Sequence, residues 1–501
     1  MHRVRSMNTL RVITLLIVML IGVIAVFIQI NALFNMDVSM LMHVSERMFH
    51  GGKYGVNIFE SNPPMILYIY AAPIWIAKWF SINFILSCRI FVFLLIFMSL
   101  LLCNYFITQI CRSRDKVCHS HEGGNGRLLI LATAWVLLMP GVNFAQREHI
   151  MLILIMPYVY LSIASLHDIY MPRFFILIVA IMAGIGFCIK PHFFIPFFMY
   201  LLYRRKITLD SKIIIFIAVV YFLDILIFYP TYFTKILPLV FQYYYPYFDS
   251  KTAWSNIGIH FSFMILIIYS ISFYFMKNHK LENVLAIYAT GFLLVYFVQK
   301  SNWGYHLYPA IAFVTLLAVQ MVYRYIRLTL SLKFYARYFF VTLLGIVLLY
   351  SPLHYYYLLN KESLDFKNHN EFKIIKYLSQ LKNINSVYFL SNNPSAYPVV
   401  DYLHLKDIQL IQCYWFFPGM YAIHHSNQNN LNNFRNLIVN DILIKNPDAI
   451  VVSDRLFPGS VKKFSMRYFS ENLEFKIFLT KYKAIDQFDD IVIFIKGSVY
   501  E

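Results

Sequence analysis

The stretch MHRVRSMNTLRVITLLIVMLIGVIAVFIQI (Met1–Ile30) places a basic head directly before a long uninterrupted apolar run. A run of about twenty apolar residues forms a helix long enough to cross a hydrocarbon core about 30 Å thick. This run is longer than the apolar region of a secretory signal peptide, and no clear small-x-small cleavage site follows it. We interpret it as an uncleaved signal anchor, which makes the chain a membrane protein from its first helix.

Similar runs recur over the first 360 residues. Of the 501 residues, 59% are hydrophobic and only 14% are charged, whereas a soluble protein carries roughly a quarter of charged residues. The predicted spans are 10–31, 84–110, 128–143, 150–167, 174–189, 192–203, 212–229, 257–276, 281–298, 308–325 and 338–358. The fold class is therefore an all-α polytopic membrane bundle of about 11 transmembrane helices, although 192–203 is short for a crossing.

The distribution of Lys and Arg orients these spans. Eighteen of them fall at the N-terminus or in the alternate connections CRSRDKVCHSHEGGNGR, YMPR, YRRKITLDSK, MKNHK and RYIRLTLSLKFYAR. Cytoplasmic loops carry such an excess, so this side is cytoplasmic and an odd number of spans leaves the C-terminus outside. The net charge of +18 is explained by these loops, and we expect no nucleic-acid partner.

One apolar segment does not fit this pattern of spans. Pro63–Phe80 is apolar but contains Pro73 and would invert every later loop if it crossed, so we predict an interfacial helix, anchored by Trp75 and Trp79, in a long first outer loop (32–83).

After residue 360, short apolar strands alternate with amphipathic helices: NEFKIIKYLSQL is a predicted helix, SVYFL and DIQLIQCYW are predicted strands, FRNLIVNDILIKNPDAIVVS is a helix and then a strand, and YKAIDQFDDIVIFIKGS is a hairpin. Two domains follow, a membrane module at 1–360 and a small periplasmic α/β domain at 361–501. The six cysteines indicate neither a disulfide framework nor a zinc site.

Ionisable and aromatic residues concentrate in the predicted outer loops, and such residues at membrane depth mark a functional site by default. The loops are 35–64, 143–149, 189–193, 242–256 and 299–309. Cations suit a phosphate, carboxylates accept a proton, and aromatic rings offer flat faces to a sugar or a polyprenyl chain. The candidate carboxylates are Asp37, Glu46, Glu60 and Glu148; the other candidate ligands are Arg147, His149, Lys190, His192, Lys300, Trp303, Tyr305 and His306. No nucleotide-binding motif is present, and we interpret His119, His121 and His424–His425 as solvated loop residues.

The first loop carries a recognisable pattern. An aspartate, Asp37, follows the first span, and ERMFHGGKYGVNIFESNPPMILYIYAAP (46–73) comes after it. This pattern resembles the GT-C superfamily of membrane glycosyltransferases, most closely the bacterial relatives of protein O-mannosyltransferases and of the aminoarabinose transferase that acts on lipid A. QREH (146–149), KPH (190–192) and QKSNWGYH (299–306) fit the superfamily's outer-loop motifs.

The resemblance implies transfer of a sugar from a polyprenyl-phosphate donor to a hydroxyl of a cell-surface glycan or lipid such as lipopolysaccharide, at the inner membrane. Asp37 matches the catalytic base of the superfamily, and Lys190, Lys300 and His306 would bind the leaving phosphate. A single displacement would invert the anomeric configuration; two close carboxylates would instead give retention, but only Asp37 has positional support. We expect no metal or cofactor. Asn62-Pro63-Pro64 stands where the aminoarabinose branch has Lys-Pro-Pro, which leaves the donor sugar open.

Two other functions stay open at this point. A transporter or flippase of lipid-linked sugars also places ionisable groups between spans, but such sites lie near mid-membrane, and we see no internal repeat. An O-antigen polymerase or ligase is also an outer-face glycan enzyme, but it is built around a large late loop, whereas the long loop here is the first.

Overall fold

The computed structural model describes residues 2–113, 124–247, 254, 256–275, 280–300, 303–328, 334–381, 383–391, 396–423, 428–453, 465–488 and 491–497. The predicted histidine-bearing loops at 119–121 and 424–425 lie outside these residues.

Helices dominate the chain. They are α1 (His2–Asn31), α2 (Met36–Phe49), α3 (Met65–Phe80), α4 (Phe84–Ser113), α5 (Gly124–Leu138), α6 (Arg147–Leu166), α7 (Arg173–Cys188), α8 (Phe194–Arg204), α9 (Leu209–Phe228), α10 (Ile257–Phe275), α11 (Lys280–Gln299), α12 (Gly304–Leu328), α13 (Phe334–Leu364), α14 (Asn370–Leu378), α15 (Ala396–Tyr402), α16 (Phe417–Ile423), α17 (Gln428–Lys445), α18 (Ser465–Ser470) and α19 (Leu473–Leu479). The strands are β1 (Val387–Leu390), β2 (Ala449–Ser453), β3 (Tyr482–Phe488) and β4 (Ile491–Lys496). Each of the eleven predicted spans overlaps a helix, although the bounds differ by several residues in places.

Six helices of the described residues are long and apolar enough to cross a membrane, namely α1, α4, α6, α9, α11 and α12. Shorter apolar helices are α3, α5, α7 and α10. Helix α8, with 11 residues, extends only about 17 Å and is too short to cross alone. These helices confirm the predicted polytopic membrane bundle, and the chain is an integral membrane protein.

The chain divides into two compact units. The first, which we call the helical unit, comprises Met1–Ala32, Arg89–Leu223 and Asp249–Leu364. The second, the sheet unit, comprises Leu33–Cys88, Asp224–Phe248 and Asp365–Glu501. The sheet unit therefore contains most of the first outer loop as well as the predicted C-terminal domain.

Helices α6 and α12 form the interior of the helical unit. Beyond its polar first turn, helix α6 is apolar on every side, and it is buried along nearly its whole length. A helix of this kind is a core helix, surrounded by other helices. Helices α1 and α9 instead expose large apolar side chains such as Leu16, Phe27 and Phe216, which suits a lipid environment.

The sheet unit contains one four-stranded sheet of order β1-β2-β4-β3. Strand β1 pairs with β2 in parallel, and β2 and β3 each pair with β4 in antiparallel fashion. The predicted helix at the start of the domain, the strand β1, the helix–strand pair α17–β2 and the terminal hairpin are confirmed.

The predicted strand at 407–415 is wrong. This segment joins none of the described sheet strands, and its side chains bind the first loop instead. Gln412 Nε2 donates to the Asn57 carbonyl at 3.2 Å, and Trp415 Nε1 donates to the Phe59 carbonyl at 2.5 Å. The alternation of apolar and polar residues therefore reflects packing against a loop.

Helix α3 exposes two tryptophans of the first loop. Trp75 is 59% exposed and Trp79 is 85% exposed. Such exposure is appropriate for anchors at a membrane interface, and the interfacial location of α3 stays a prediction.

Candidate active site: a buried cation cluster and a carboxylate pair

Four helix ends of the helical unit bring polar side chains together. Helix α6 begins at Arg147, and helix α7 ends just before Lys190. Gln299 is the last residue of α11, and His306 lies in the first turn of α12. Because successive helices run in opposite directions, residues that are far apart in sequence meet at this end of the unit.

Lys190 is the centre of this arrangement. Its Nζ donates to Glu148 Oε1 at 2.5 Å and to Gln299 Oε1 at 3.0 Å, and it lies 3.3 Å from His306 Nε2. Lys190 is 2% exposed and Glu148 is fully buried. The extended backbone of Lys190, which is the conformation expected before a proline, directs the chain from α7 into this position.

Arg147 and His192 belong to the same group. Both interact electrostatically with the side chain of His306, and His192 also interacts electrostatically with Lys190. We call this group the cation cluster; its members are Arg147, Glu148, Lys190, His192, Gln299 and His306. It contains two permanent cations, Arg147 and Lys190, against one carboxylate, so its net charge is positive and suits an anion.

Aromatic rings border the cation cluster. The Lys190 Nζ lies 5.6 Å from the centre of the Phe193 ring and 5.9 Å from that of Tyr305. Trp303 stacks on Tyr305 with ring centres 6.3 Å apart, and Tyr305 meets His306 edge-on at 4.4 Å. These rings provide the flat apolar surfaces that the sequence predicts beside the cations.

Two predicted ligands are placed differently. His149 uses both ring nitrogens on the backbone, since Nδ1 accepts from the Ala145 N–H at 3.1 Å and Nε2 donates to the Leu137 carbonyl at 2.9 Å. The histidine thus holds the loop before α6. Lys300 is exposed and has a left-handed backbone with φ 57°, while its neighbour Gln299 enters the cluster.

The opposite ends of α6, α11 and α12, and the connection between α8 and α9, carry a different set of polar contacts. Arg204 pairs with Asp210 at 3.4 Å, and Arg324 pairs with Glu282 at 3.0 Å. Lys280 Nζ donates to the Leu166 carbonyl at 2.6 Å. These residues belong to the loops that the charge distribution predicts to be cytoplasmic.

The sheet unit holds the predicted base. Asp37 lies in the first turn of α2, and the Asn35 side chain caps that helix by accepting from the Asp37 N–H at 3.0 Å. Glu60 is buried, and its Oε1 accepts from Asn62 Nδ2 at 2.6 Å. Asn62, the residue that departs from the Lys-Pro-Pro pattern, therefore fixes a carboxylate.

Two carboxylates of the sheet unit, those of Asp37 and Glu60, both act electrostatically on the buried Cys413 thiol. Burial raises the pKa of the Cys413 thiol well above its usual range, and the two negative charges raise it further. The thiol therefore stays neutral at physiological pH, which disfavours a role as a nucleophile. We call Asp37 and Glu60 the carboxylate pair.

Contacts between the first loop and the C-terminal part of the sheet unit hold α2 in place. His43 Nε2 lies 2.8 Å from Asp401 Oδ1, and Arg47 pairs with Asp407 at 2.7 Å. Ser39 also donates to Asp401. The sequence did not reveal these pairs, because no local pattern connects residues so far apart.

A segment with π-helical turns lies beside Glu60. Tyr232–Ile236 and Val240–Tyr244 are π-helical. The π-helix is rare in proteins, and where it does occur it often lies at a functional site. The Tyr232 hydroxyl donates to the Ser61 carbonyl at 3.1 Å. The backbone of Gly419 lies so close to this segment that a Cβ atom at position 419 would be only 1.8 Å from the Tyr243 carbonyl oxygen. Much of the rest of the predicted outer loop 242–256 is outside the described residues.

The helical unit with its buried cluster and the sheet unit with its carboxylate pair define a polytopic membrane protein with an extramembrane α/β part. Its fold is similar to that of ArnT from Cupriavidus metallidurans. The apo ArnT crystal structure matches with a TM-score of 0.51 at 11% identity, over 98% of each chain. ArnT bound to undecaprenyl phosphate matches with a TM-score of 0.51 at 12% identity, over 97% of this chain and 98% of ArnT. No protein-family model and no curated protein sequence matches this chain. The similarity confirms the fold implied by the resemblance to the GT-C superfamily.

Proposed function

We propose that this protein is a membrane glycosyltransferase that moves a sugar from a polyprenyl-phosphate donor to a hydroxyl of a cell-surface glycan or lipid. The observation that carries the proposal is the cation cluster, in which Lys190 and Arg147 are buried at the meeting point of four helix ends. The fold supports the same function, since ArnT has been crystallised with undecaprenyl phosphate. It does not favour a polymerase, a ligase or a flippase.

The cations serve the leaving group. In the reaction, the bond between the anomeric carbon and the phosphate oxygen breaks, and polyprenyl phosphate departs with the bonding electrons. Lys190 and Arg147 neutralise the charge that develops on this phosphate, and low-dielectric surroundings strengthen that stabilisation. His306 lies beside Lys190 and is a further, uncharged ligand for the phosphate. Tyr305 and Trp303 present flat faces to the sugar or to the first isoprene unit.

The carboxylate pair serves the acceptor. The acceptor oxygen forms the new bond to the anomeric carbon, and its proton passes to a carboxylate, a role that the resemblance to the GT-C superfamily assigns to Asp37. Glu60, fixed by Asn62, orients the acceptor hydroxyls. One displacement inverts the anomeric configuration.

The reaction takes place on the outer face of the inner membrane in this proposal. The support is the charge distribution: the ion pairs at the far ends of α8, α11 and α12 lie in the Lys- and Arg-rich loops, and the cation cluster lies at the other ends. The sheet unit is then periplasmic.

Transfer of label tests the proposal. Purified protein in lipid nanodiscs is incubated with polyprenyl-phosphate sugars labelled in the sugar and with envelope extract from a strain lacking the gene. We expect label to appear in a glycan or lipid fraction with equimolar release of polyprenyl phosphate. Movement of intact labelled donor across a vesicle bilayer, without transfer, would instead make the protein a flippase.

A further inference from the structure

The ammonium of Lys190 is already occupied. A lysine ammonium has three N–H donors, and Glu148 Oε1, Gln299 Oε1 and His306 Nε2 are three acceptors within 3.3 Å of it. A phosphate oxygen can therefore bind Lys190 only if one of these acceptors gives way. Gln299 and a neutral His306 do not repel an anion, whereas Glu148 does.

Glu148 is held in the cluster mainly by charge. Its carboxylate is fully buried, and besides Lys190 it lies 3.6 Å from His306 Nε2. Its second oxygen, Oε2, is buried and makes no hydrogen bond within the part of the chain that the structure describes. A structural salt bridge would normally satisfy both oxygens, because an unsatisfied buried polar atom is costly. The incomplete hydrogen bonding indicates that the carboxylate is placed to balance the cations.

We propose that Glu148 is a resident counter-ion that the phosphate of a polyprenyl phosphate displaces from Lys190. This inference rests on the proposed function, in which that phosphate binds the cation cluster. The donor carries one negative charge on its phosphodiester, but the released polyprenyl phosphate is a monoester and carries up to two. A cation cluster without a counter-ion would bind the released polyprenyl phosphate more tightly than it binds the donor. Glu148 returns to Lys190 as the product leaves, and this limits product retention.

Binding of undecaprenyl phosphate to the purified full-length protein tests the inference, with undecaprenol as the uncharged control lipid. Glu148→Gln keeps the size of the side chain and removes its charge, so we expect it to bind undecaprenyl phosphate roughly tenfold more tightly than the wild type. Lys190→Gln should bind it roughly tenfold less tightly. Glu282→Gln is the matched control, since Glu282 is also buried and paired with a cation, Arg324, at the far end of the unit. Its affinity should equal that of the wild type, and undecaprenol binding should be the same in all four proteins.

The results separate the two hypotheses. Suppose that Lys190→Gln weakens binding but Glu148→Gln binds no more tightly than the wild type. The counter-ion role of Glu148 is then overturned, whereas binding of the phosphate by the cation cluster is supported. Suppose instead that the wild type binds undecaprenyl phosphate no more tightly than undecaprenol, and that Lys190→Gln leaves the affinity unchanged. Both the phosphate site and the counter-ion role of Glu148 are then overturned. Should Glu148→Gln not accumulate, Glu148→Asp withdraws the carboxylate from Lys190 by one methylene. Tighter binding by Glu148→Asp supports the inference, and equal or weaker binding overturns it.

Discussion

His43 and Asp401, 358 positions apart in the chain, form an ion pair with 2.8 Å between Nε2 and Oδ1. Burial alone would lower the pKa of His43, but the charge and hydrogen bond of Asp401 outweigh it, and Asp407 and Glu46 add to the effect. The pKa rises to about 9. The ring is therefore protonated at neutral pH and ties helix α2, which carries Asp37, to helix α15.

This pair predicts how stability depends on pH. A histidine whose pKa is higher in the folded state contributes stability that is complete below its unfolded value of about 6.5 and is lost as pH rises through the folded value. We therefore expect the melting temperature of the wild type to fall between pH 6.5 and about 9 as His43 loses its proton, by an amount that corresponds to a few kcal/mol. Thermal unfolding of His43→Gln should lack this fall. His50→Gln, at an exposed position just after α2, is the control and should behave as the wild type. Parallel pH profiles for His43→Gln and the wild type would contradict the prediction.

The sequence was sufficient to predict which helix ends carry the cluster. Arg147, Lys190 and His306 each stand at the edge of an apolar run, and the charge distribution assigns those edges to one side of the membrane. A polar side chain at the end of one membrane-spanning helix lies close to the ends of the neighbouring helices on the same side of the membrane. Gln299 is uncharged, so the sequence contains no electrostatic signal that marks it as a ligand.

The sequence was insufficient for the sheet unit. In the sequence alone, Asp401 and Asp407 cannot be distinguished from ordinary surface charges. Only the tertiary structure places them next to His43 and Arg47. The alternation in 407–415 suggested a strand, because an irregular segment that packs against a loop also buries alternate side chains. Local patterns report burial, and they do not identify the partner that buries the residue.

Asp37→Asn should abolish sugar transfer while the protein inserts and accumulates normally. The change is nearly isosteric and removes the carboxylate that accepts the proton, a contribution typically worth about 10²–10⁴-fold in rate. Glu474→Gln is a matched control, because Glu474 also lies in the first turn of a helix with an asparagine cap, so that both changes remove the same helix-terminus charge effect. The measurement is the initial rate of transfer from labelled donor. Near wild-type turnover in Asp37→Asn would transfer the role of base to another carboxylate, with Glu60 the first to test.

Lys190→Gln and Lys300→Gln should differ in their response to the donor. Lys190 is buried among the cluster, so loss of a charge-assisted hydrogen bond should raise the donor KM about tenfold with little change in acceptor dependence. Lys300 is exposed, and an exposed charge contributes little, so we expect a smaller rise there. Both KM values come from transfer rates at varied donor concentration. An equal rise in the two variants would make Lys300 a phosphate ligand of the same rank.

The orientation of the chain predicts the location of its C-terminus. A phosphatase fused after Glu501 should be active, and a fluorescent reporter that folds only in the cytoplasm should stay dark at the same position. Fusions at Lys206, in a predicted cytoplasmic loop, supply the opposite control pattern. A bright reporter and an inactive phosphatase at Glu501 would invert the membrane orientation and place the cation cluster on the cytoplasmic side.

Trp415 positions the part of the first loop that carries Glu60. Its indole Nε1 donates to the carbonyl of Phe59, the residue directly before Glu60, and its ring packs edge-on against Tyr244 with ring centres 5.7 Å apart. Trp415→Phe keeps an aromatic ring but leaves the Phe59 carbonyl without this donor, a loss of about 1–3 kcal/mol in stability. We expect a lower melting temperature and, because Glu60 is then less firmly placed, a higher acceptor KM with an unchanged donor KM. Trp79→Phe is the control: Trp79 is 85% exposed, so its replacement should alter neither quantity. If Trp415→Phe lowered the melting temperature but left the acceptor KM unchanged, Trp415 would stabilise the fold without positioning Glu60.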